Sequence, residues 1–169
     1  METIYFGAGC FWGVEELFRR LDGVEHVTSG YTGGELENPS YEDICTGRTG
    51  HAEVVKVDFN REKLSLKELY KYFFKLHDPT TLNRQGYDIG TQYRSVIFYQ
   101  NNEQKEVAQE VIQKIDDSKI FKSPIVTELT RAQTFYPAED YHQEYYLKKY
   151  KNGDGPLCHF LRNIDLDFL

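Results

Sequence analysis

The sequence predicts an α+β fold, a two-layer sandwich with helices on one side of a mixed sheet, long wrapping loops and a flexible C-terminal tail. Short apolar runs typical of strands interleave with amphipathic stretches in which apolar residues recur every three or four positions. The chain has 169 residues, 40% of them hydrophobic, which suits one domain with a sizeable core. No internal repeat or low-complexity stretch interrupts it. We therefore expect residues 1–169 to form a single domain.

The first elements follow from a switch in periodicity. Met1 to Phe6 is apolar and predicts a strand. Val14 to Leu21 carries apolar residues three and four positions apart and predicts a helix, which Gly23 ends. Val24 to Tyr31 predicts the second strand. The chain thus begins with a β-α-β order.

A long loop precedes the third strand. Residues from Glu35 to Gly50 are loop-like, with a helical turn expected from Ser40 to Cys45, and long loops in compact domains are often functional. His51 to Phe59 alternates polar and apolar residues and predicts a strand. Val55 and its apolar neighbours are expected on one face, with Glu53 partly on the other.

The middle of the chain repeats the helix-then-strand order. Ser65 and Glu68 have the spacing of a capping box and open a helix that ends at Asp78-Pro79. A second long loop covers Thr80 to Tyr93. Arg94 to Tyr99 predicts the next strand.

The C-terminal part predicts three more elements. Asn102 is expected to cap a third helix, and Ile125 to Leu129 to form a strand. Pro137 starts a last helix, from Ala138 to Tyr150. The tail over 151–169 is expected to be flexible because of its glycines and proline between Asn152 and Pro156, and it carries Cys158.

Composition excludes several classes of function. A net charge of −7 does not suit a nucleic-acid-binding surface. No apolar run approaches the ~20 residues that cross a bilayer, and no secretory signal is visible. The three cysteines form no CxxC pair, so neither a structural zinc site nor a disulfide framework is expected. We expect a cytoplasmic monomer without a bound cofactor or metal.

The stretch from Gly7 to Gly13 concentrates the features of a reactive site. Cys10 falls between a predicted strand and a predicted helix, beside the first free N–H groups of the helix. These groups stabilise an anion, and the thiolate is the reactive form of cysteine. Phe11 and Trp12 add an apolar wall. The alternative is a buried, inert thiol among core aromatics.

Further blocks accompany this stretch: Gly9-Cys10-Phe11-Trp12-Gly13, Gly30-Tyr31-Thr32-Gly33-Gly34, Asn38-Pro39-Ser40-Tyr41, Thr49-Gly50-His51-Ala52-Glu53, His77 to Gly86, Asp88, and Gly90 to Ser95. In this order and spacing they resemble the peptide methionine sulfoxide reductases of the A type. The match runs from about Ile4 to about Tyr146. It implies a ferredoxin-like arrangement at the centre of the sheet and thiol-dependent reduction of methionine S-sulfoxide, free or in proteins, as a repair of oxidised protein.

The resemblance assigns a role to each chemical requirement of that reaction. Cys10 corresponds to the nucleophile that attacks the sulfoxide sulfur. Glu53 corresponds to the catalytic acid, which burial would keep protonated; without the resemblance it is an ordinary strand glutamate. Tyr41 and Tyr93 match the tyrosines whose hydroxyls bind the sulfoxide oxygen. Asp88 matches a residue near the same network, or it is simply a turn aspartate.

Phe11 and Trp12 are expected to form the pocket for the S-methyl group, since sulfur and methyl groups pack favourably on aromatic rings. After the attack Cys10 becomes a sulfenic acid, which condenses with a nearby thiol. Cys158 is the expected partner, and the resemblance implies that thioredoxin, or dithiothreitol in vitro, reopens the disulfide. The tail here carries the motif Pro156-Leu157-Cys158-His159 where the family often has Gly-Tyr-Cys, and no later cysteine follows it. The alternative is that Cys158 is idle and that an external thiol attacks the sulfenic acid directly.

Other interpretations of the same residues remain. A Cys-His hydrolase would pair Cys10 with a histidine such as His51, and a binding module would recognise methionine without turnover. Cys45 is expected to pack as a small apolar residue. The remaining candidates for metal ligands lack zinc spacing, and we expect structural hydrogen bonds from them instead: His51, His77, His142 and His159.

Overall fold

The computed structural model describes residues 1–151 and 155–169. Its strands form a six-stranded sheet and a separate two-stranded hairpin. The strands are β1 (Glu2–Ala8), β2 (Val24–Thr32), β3 (Ala52–Phe59), β4 (Arg84–Gln85), β5 (Asp88–Ile89), β6 (Ser95–Tyr99), β7 (Glu128–Arg131) and β8 (Tyr136–Pro137). The α-helices are α1 (Phe11–Arg19), α2 (Tyr41–Cys45), α3 (Leu66–Lys75), α4 (Asn102–Ser118) and α5 (Tyr145–Lys149).

The centre of the sheet has the expected ferredoxin-like arrangement. The order β7-β6-β1-β3-β2-β8 contains the β-α-β-β-α-β unit of β1, α1, β2, β3, α3 and β6. Neighbouring strands within this unit are antiparallel. The edge strand β7 runs parallel to β6 and makes the sheet mixed. The prediction of an α+β fold with a mixed sheet is confirmed.

One face of the sheet carries the helices and the main core. Ile4, Phe6 and Ala8 of β1 point to this face and pack with apolar residues of α1, α3 and α4. The ring of Phe6 lies 5.0 Å from that of Phe18 and 4.8 Å from that of Phe73. The opposite face carries a smaller apolar cluster around Phe98, covered by the segment that contains Phe135.

The last predicted helix is largely wrong. Pro137 lies in β8, paired with Gly30 at the sheet edge, where a residue without an N–H is tolerated. A 3₁₀ turn over Asp140–His142 follows, and only Tyr145–Lys149 is α-helical. The amide of Gln143 binds both the N–H and the C=O of Ser29 in β2. These contacts fasten the segment to the sheet in place of helical bonds.

Two smaller boundaries also differ. The side chain that caps α4 belongs to Asn101, which accepts from the N–H of Gln104, so the predicted cap at Asn102 was one residue late. The strand expected from Ile125 to Leu129 is β7, shifted toward the C-terminus. The N–H of Ile125 is taken by Asp116 instead, which keeps it out of the sheet.

The segment predicted as a flexible tail is anchored at several points. Arg162 donates its N–H to the carbonyl of Lys75 at 2.7 Å, Leu166 is fully buried in the main core, and Asp167 pairs with Lys71. Most of the predicted flexible stretch, residues 152–154, lies outside the described residues. Sequence composition alone missed these anchors because they depend on contacts with distant elements.

Within the described ranges, none of the helices has the length and apolar character needed to traverse a bilayer.

Candidate active site

Cys10 lies at the N-cap of α1, directly after β1. Gly9 makes the turn between them with a φ of +91°, a conformation that glycine adopts without strain. The Cys10 side chain is half-buried, and the backbone N–H of Trp12 binds its sulfur. The thiol therefore lies between a strand and a helix, as predicted from the sequence.

Glu53 lies under the N-terminus of α1. It is 2% exposed, and its Oε1 accepts the N–H of Phe11 at 3.2 Å. Burial raises the pKa of Glu53 to about 8, against the opposing effect of the Phe11 N–H, and Asp88 adds to the rise. A carboxyl in this state is protonated at neutral pH and able to donate a proton.

Strand alternation puts Glu53 on the face that holds the helices. It has the same parity as Val55 and Val57, which lie in the main core, whereas Val54 belongs to the cluster on the other face. The expectation that Glu53 lies partly with the polar residues of β3 was wrong. Its direction follows from the pairing of β3 with β2, where Glu53 lies opposite Tyr31.

The thiols of Cys10 and Cys158 are hydrogen-bonded to each other. This bond, together with burial, raises the pKa of Cys10, although the Trp12 N–H lowers it as expected of a helix N-terminus. The same bond lowers the pKa of Cys158 to about 4, opposed by burial and assisted by His159 and Tyr146. Within this pair the pKa of Cys10 is therefore the raised one and that of Cys158 the lowered one.

The tail that carries Cys158 fits against the start of α1. His159 lies beneath it, with Nε2 at 2.6 Å from the carbonyl oxygen of Ala8 and Nδ1 at 3.2 Å from the Cys158 sulfur. A Cβ on Gly13 would lie 2.6 Å from the Cys158 sulfur. Glycine at this position of the helix thus makes room for the tail.

Aromatic side chains follow Cys10 at the start of α1. The Trp12 ring lies 3.8 Å from that of Tyr145, and its Nε1 donates to Nδ1 of His142 at 3.0 Å. Phe11 is buried, with its ring 5.3 Å from that of His142. The hydrogen bond fixes the indole, so the wall formed by Phe11 and Trp12 has a defined shape.

Tyr41, Tyr93 and Asp88 lie near enough to Glu53 for their charges to interact with that of its carboxyl. Burial, the larger cause, and the charge of Glu53 both raise the pKa of Tyr41 and of Tyr93. Their hydroxyls therefore stay protonated at neutral pH and can donate hydrogen bonds. Burial and the nearby Cys158 raise the pKa of Asp88. The predicted site residues are thus brought together from α1, α2, β3, the hairpin, the turn before β6 and the tail.

Cys45 does not pack as a small apolar residue. Its side chain is exposed and hydrogen-bonds to that of Tyr41 one turn earlier in α2. This third thiol therefore lies at the surface next to Tyr41, not in the core.

Several residues that shape the site were missed by the sequence analysis. Glu139 accepts from the Tyr31 hydroxyl at 2.9 Å and from the Tyr41 N–H at 3.0 Å, which fixes the start of α2. Buried Glu15 accepts the N–H of Glu144 at 2.9 Å and so holds the segment that carries Tyr145. The stretch after Pro137 was predicted as a single helix from Ala138 to Tyr150, and a helix prediction carries no signal for these contacts.

His51, the partner considered for a Cys-His hydrolase, has a structural role. Its Nδ1 accepts the N–H of Gly34 at 3.0 Å, and its Nε2 contacts the carbonyl of Leu36 at 2.7 Å. Both ring nitrogens are thereby used in holding the loop after β2. His77 is likewise buried between Phe73 and Ser95. Neither histidine is placed to act as a base for Cys10.

Comparison with known proteins agrees with this geometry. The sequence profile of the family "Peptide methionine sulfoxide reductase" matches residues 2–165. A peptide methionine sulfoxide reductase MsrA from Acidobacterium capsulatum is 58% identical over 149 residues, which cover 88% of this chain and 96% of that protein.

Solved structures give the same result. Reduced Mxr1 from Saccharomyces cerevisiae superposes with a TM-score of 0.86 at 36% identity, covering 96% of this chain and 92% of that one. Mxr1 in complex with Trx2 superposes with a TM-score of 0.64 at 26% identity, covering 96% of this chain and 90% of the other. The chain therefore belongs to the peptide methionine sulfoxide reductase family, oxidoreductases that act on methionine sulfoxide.

Proposed function

We propose that this enzyme reduces methionine S-sulfoxide, both free and within oxidised proteins, through Cys10 and Glu53. The observation that supports this best is the buried carboxyl of Glu53, whose pKa is raised to about 8, directly beneath the N-cap that carries Cys10. A nucleophilic sulfur and a protonated acid at one pocket are what sulfoxide reduction requires. Residues 1–169 act as a single catalytic domain.

In the first step the Cys10 sulfur attacks the sulfoxide sulfur while Glu53 protonates its oxygen. The Cys10 proton passes to the Cys158 sulfur, to which Cys10 is hydrogen-bonded. The attack forms a bond between the two sulfurs. As the protonated oxygen passes from the substrate sulfur to the Cys10 sulfur, the substrate S–O bond and this S–S bond both break, and Cys10 becomes a sulfenic acid. The substrate sulfur gains two electrons and leaves as the thioether of methionine.

The protonated hydroxyls of Tyr41 and Tyr93 bind the sulfoxide oxygen. Both side chains are close enough to Glu53 for its charge to raise their pKa. A sulfoxide oxygen that accepts the Glu53 proton is therefore also near the two hydroxyls. Donors fixed in advance stabilise the charge that develops on this oxygen. Asp88 helps keep the Glu53 carboxyl protonated by repelling its ionised form.

Phe11 and Trp12 hold the S-methyl group. Contacts of sulfur and methyl with aromatic rings contribute roughly 0.3–1.5 kcal/mol each. The hydrogen bond from Trp12 to His142 and the close packing of the Trp12 ring against that of Tyr145 keep this wall in one orientation. A pocket of fixed shape distinguishes the two sulfur epimers, because only one presents oxygen to Glu53 while the methyl group meets the rings.

Cys158 resolves the sulfenic acid by forming a disulfide with Cys10, and thioredoxin then reduces the disulfide. The support is the contact between the two thiols and the exposure of Cys158, which lets a second protein reach it. The complex of the related Mxr1 with Trx2 favours the same donor. Such a cycle suits the cytoplasm, where thiols are kept reduced, and a monomer with its resolving thiol open to the partner.

The decisive experiment is a reduction assay with the separated S and R sulfoxide epimers of a methionine derivative, first with dithiothreitol and then with thioredoxin and its reductase. We expect turnover of the S epimer with both donors and none of the R epimer. Turnover of the R epimer alone, or of neither epimer with dithiothreitol, would contradict the proposal. An oxidised protein as substrate then tests repair of protein-bound methionine.

A further inference from the structure

His159 is the residue of the tail that the proposed mechanism leaves without a task. Its side chain is 7% exposed, whereas the neighbouring Cys158 is exposed. Both ring nitrogens have partners, and each partner belongs to the catalytic turn or to the resolving thiol. This placement indicates a function connected with Cys158.

The partners of His159 fix its tautomer. The carbonyl oxygen of Ala8 can only accept a hydrogen bond, so Nε2 carries a proton. Nδ1, which faces the Cys158 sulfur, is then free to accept the thiol proton or, once protonated, to bind the thiolate. One ring nitrogen ties the tail to the end of β1, and the other serves the sulfur.

The turn around Cys10 leaves space for the His159 imidazole because it carries two glycines. A Cβ on Gly9 would lie 3.3 Å from Nε2 of His159, and one on Gly13 would meet both Nδ1 and the Cys158 sulfur. Both glycines belong to the turn around Cys10. The imidazole therefore lies between the Cys158 sulfur and the backbone at the end of β1, next to the turn that carries Cys10.

We propose that His159 is the acid-base residue of the resolving step, which holds the proton of Cys158 and returns it to the oxygen that leaves Cys10. The Cys158 thiolate attacks the sulfur of the Cys10 sulfenic acid, an S–S bond forms and the S–O bond breaks. The proton on Nδ1 goes to the departing hydroxide, which leaves as water. Cys10 is reduced and Cys158 is oxidised, so electrons balance without a further reagent.

Electrostatics of the pair agree with this role. The pKa of Cys158 is lowered to about 4 by the hydrogen bond from Cys10 and then, against burial, by His159 and Tyr146. In the sulfenic acid form the Cys10 S–H is no longer present to donate. His159 then remains beside the sulfur as a group able to hold the proton that a neutral thiol would otherwise keep.

The inference rests on the proposed function, and its test separates the two steps. Reduced enzyme is mixed with one equivalent of S-sulfoxide without a donor, and released methionine and remaining free thiols are counted over time by alkylation and mass spectrometry. The variant His159→Gln keeps an N–H at the position of Nε2 but has no titratable group. We expect methionine release at the wild-type rate and disulfide formation slowed by about 100-fold, with a trappable sulfenic acid accumulating.

Controls distinguish proton transfer from mere anchoring of the tail. His159→Asn has a side chain too short to reach the Ala8 carbonyl, and we expect it to form the disulfide at least as slowly as His159→Gln. His26→Gln changes an exposed histidine of β2, and we expect it to form the disulfide at the wild-type rate. Disulfide formation at the wild-type rate in His159→Gln would overturn the proposal. So would an equal slowing of methionine release.

A second measurement does not depend on sulfoxide chemistry. In a Cys10→Ser, Cys45→Ser background, Cys158 is the only thiol, and its thiolate is titrated by its alkylation rate against pH. We expect His159→Gln to move the midpoint upward by about one to three pH units, and an unchanged midpoint would refute proton sharing. The two proteins share the other titratable or charged groups near the imidazole, so these groups do not contribute to the difference between the curves: Asp88, His77 and Arg162. If wild-type enzyme releases no methionine, the proposed function fails, while this titration still decides for or against His159.

Discussion

The two thiols of the site are held in contrasting ways. Cys10 follows β1, whose residues from Tyr5 to Ala8 pair with β6 on one side, and it begins α1, which packs on the main core. Cys158 belongs to a stretch without regular secondary structure, placed by the contacts of His159 and Tyr146. One sulfur is thus fixed by the backbone ladder and the other by a few side chains.

This difference matches the tasks of the two residues. The first sulfur has to meet a substrate in one geometry, and sites on rigid elements hold such a geometry best. The second has to touch Cys10 and later be attacked by another protein. A segment tied down by a small number of contacts opens at a lower free energy than the core. The fold therefore combines a rigid nucleophile with a releasable resolving thiol.

Removing the rigid thiol should have the largest effect. Cys10→Ser is expected to abolish methionine formation with every donor while the fold persists, since the half-buried side chain carries the attacking sulfur. Methionine is measured with dithiothreitol as donor, and circular dichroism checks the fold. Cys45→Ser, a change at the exposed thiol of α2, is the matched control and should stay active. Residual turnover in Cys10→Ser would place the nucleophile elsewhere.

Removing the releasable thiol should stop the cycle but not the chemistry. Cys158→Ser is expected to release one methionine per enzyme and then to stall with thioredoxin. Because the largest cause of the raised Cys10 pKa is its bond with Cys158, Cys10 should also be alkylated faster near neutral pH than in the wild type. Normal cycling with thioredoxin in this variant would show that the donor attacks the sulfenic acid directly.

Replacing the acid tests the rigid half at its other functional group. Glu53→Gln keeps an acceptor for the Phe11 N–H but removes the proton, and we expect methionine release in a single turnover to slow by about 10²- to 10⁴-fold. In the wild type the same rate should decline as the pH rises above about 8, the pKa of Glu53. That decline should be missing from the variant. A single-turnover rate equal to that of the wild type would mean that another group supplies the proton.

The same substitution should alter stability in a pH-dependent way. The pKa of Glu53 is raised from 4.5 to about 8 in the fold, so between these values the folded state keeps a proton that the unfolded state has lost. The contribution of Glu53 to stability is therefore fully present below the unfolded value and is lost as the pH rises through this window. Glu53→Gln should gain on the order of 5 kcal/mol over the wild type near pH 8 and little near pH 4.5, because the pKa of Glu53 differs by about 3.5 between the two states and each pH unit corresponds to about 1.4 kcal/mol. Thermal melts at several pH values measure the difference, and a gain that is constant with pH would show that Glu53 is already ionised in the fold.

The rigid half is also the half that sequence patterns predicted well. Strands β1, β2, β3 and β6 and helices α1 and α3 carry strong periodicities because each buries one face in the core. The position of Cys10 follows from where the strand period gives way to the helix period. The direction of Glu53 did not follow, since it depends on the pairing of β3 with β2 and not on β3 alone.

The releasable half was predicted poorly for a physical reason. The segment around Tyr145 has the apolar spacing of a helix, but Gln143 and Glu144 bind Ser29 and Glu15, which are more than a hundred residues away. The tail has a loop-like composition, but Leu166 reaches the core. Local patterns contain no information about such contacts. The meeting of Cys158 with Cys10 was expected only through the resemblance of the chain to a known family.

Two glycines near Cys10 allow the rigid half and the releasable half of the site to be perturbed separately. A Cβ on Gly7 would lie 2.7 Å from Cγ1 of Val96 and 3.2 Å from the carbonyl oxygen of Arg94, both within or next to β6. Gly7→Ala therefore strains the sheet. We expect it to lower the melting temperature, with overpacking costing about 1–3 kcal/mol, and to impair both steps together.

Gly13→Ala should act on the releasable side alone. The new Cβ would lie 2.6 Å from the Cys158 sulfur, so the tail has to shift, while alanine favours the helix by about 1 kcal/mol over glycine. We expect little change in melting temperature, unchanged methionine release and disulfide formation slowed by about tenfold, the result of about 1.4 kcal/mol of overpacking. In a Cys158→Ser background, where the larger sulfur is gone and no disulfide forms, Gly13→Ala should leave methionine release as it is. If Gly13→Ala instead slows methionine release and spares the disulfide, the start of α1 is needed for substrate and not for the tail, and the division of the site into a rigid and a releasable half does not hold.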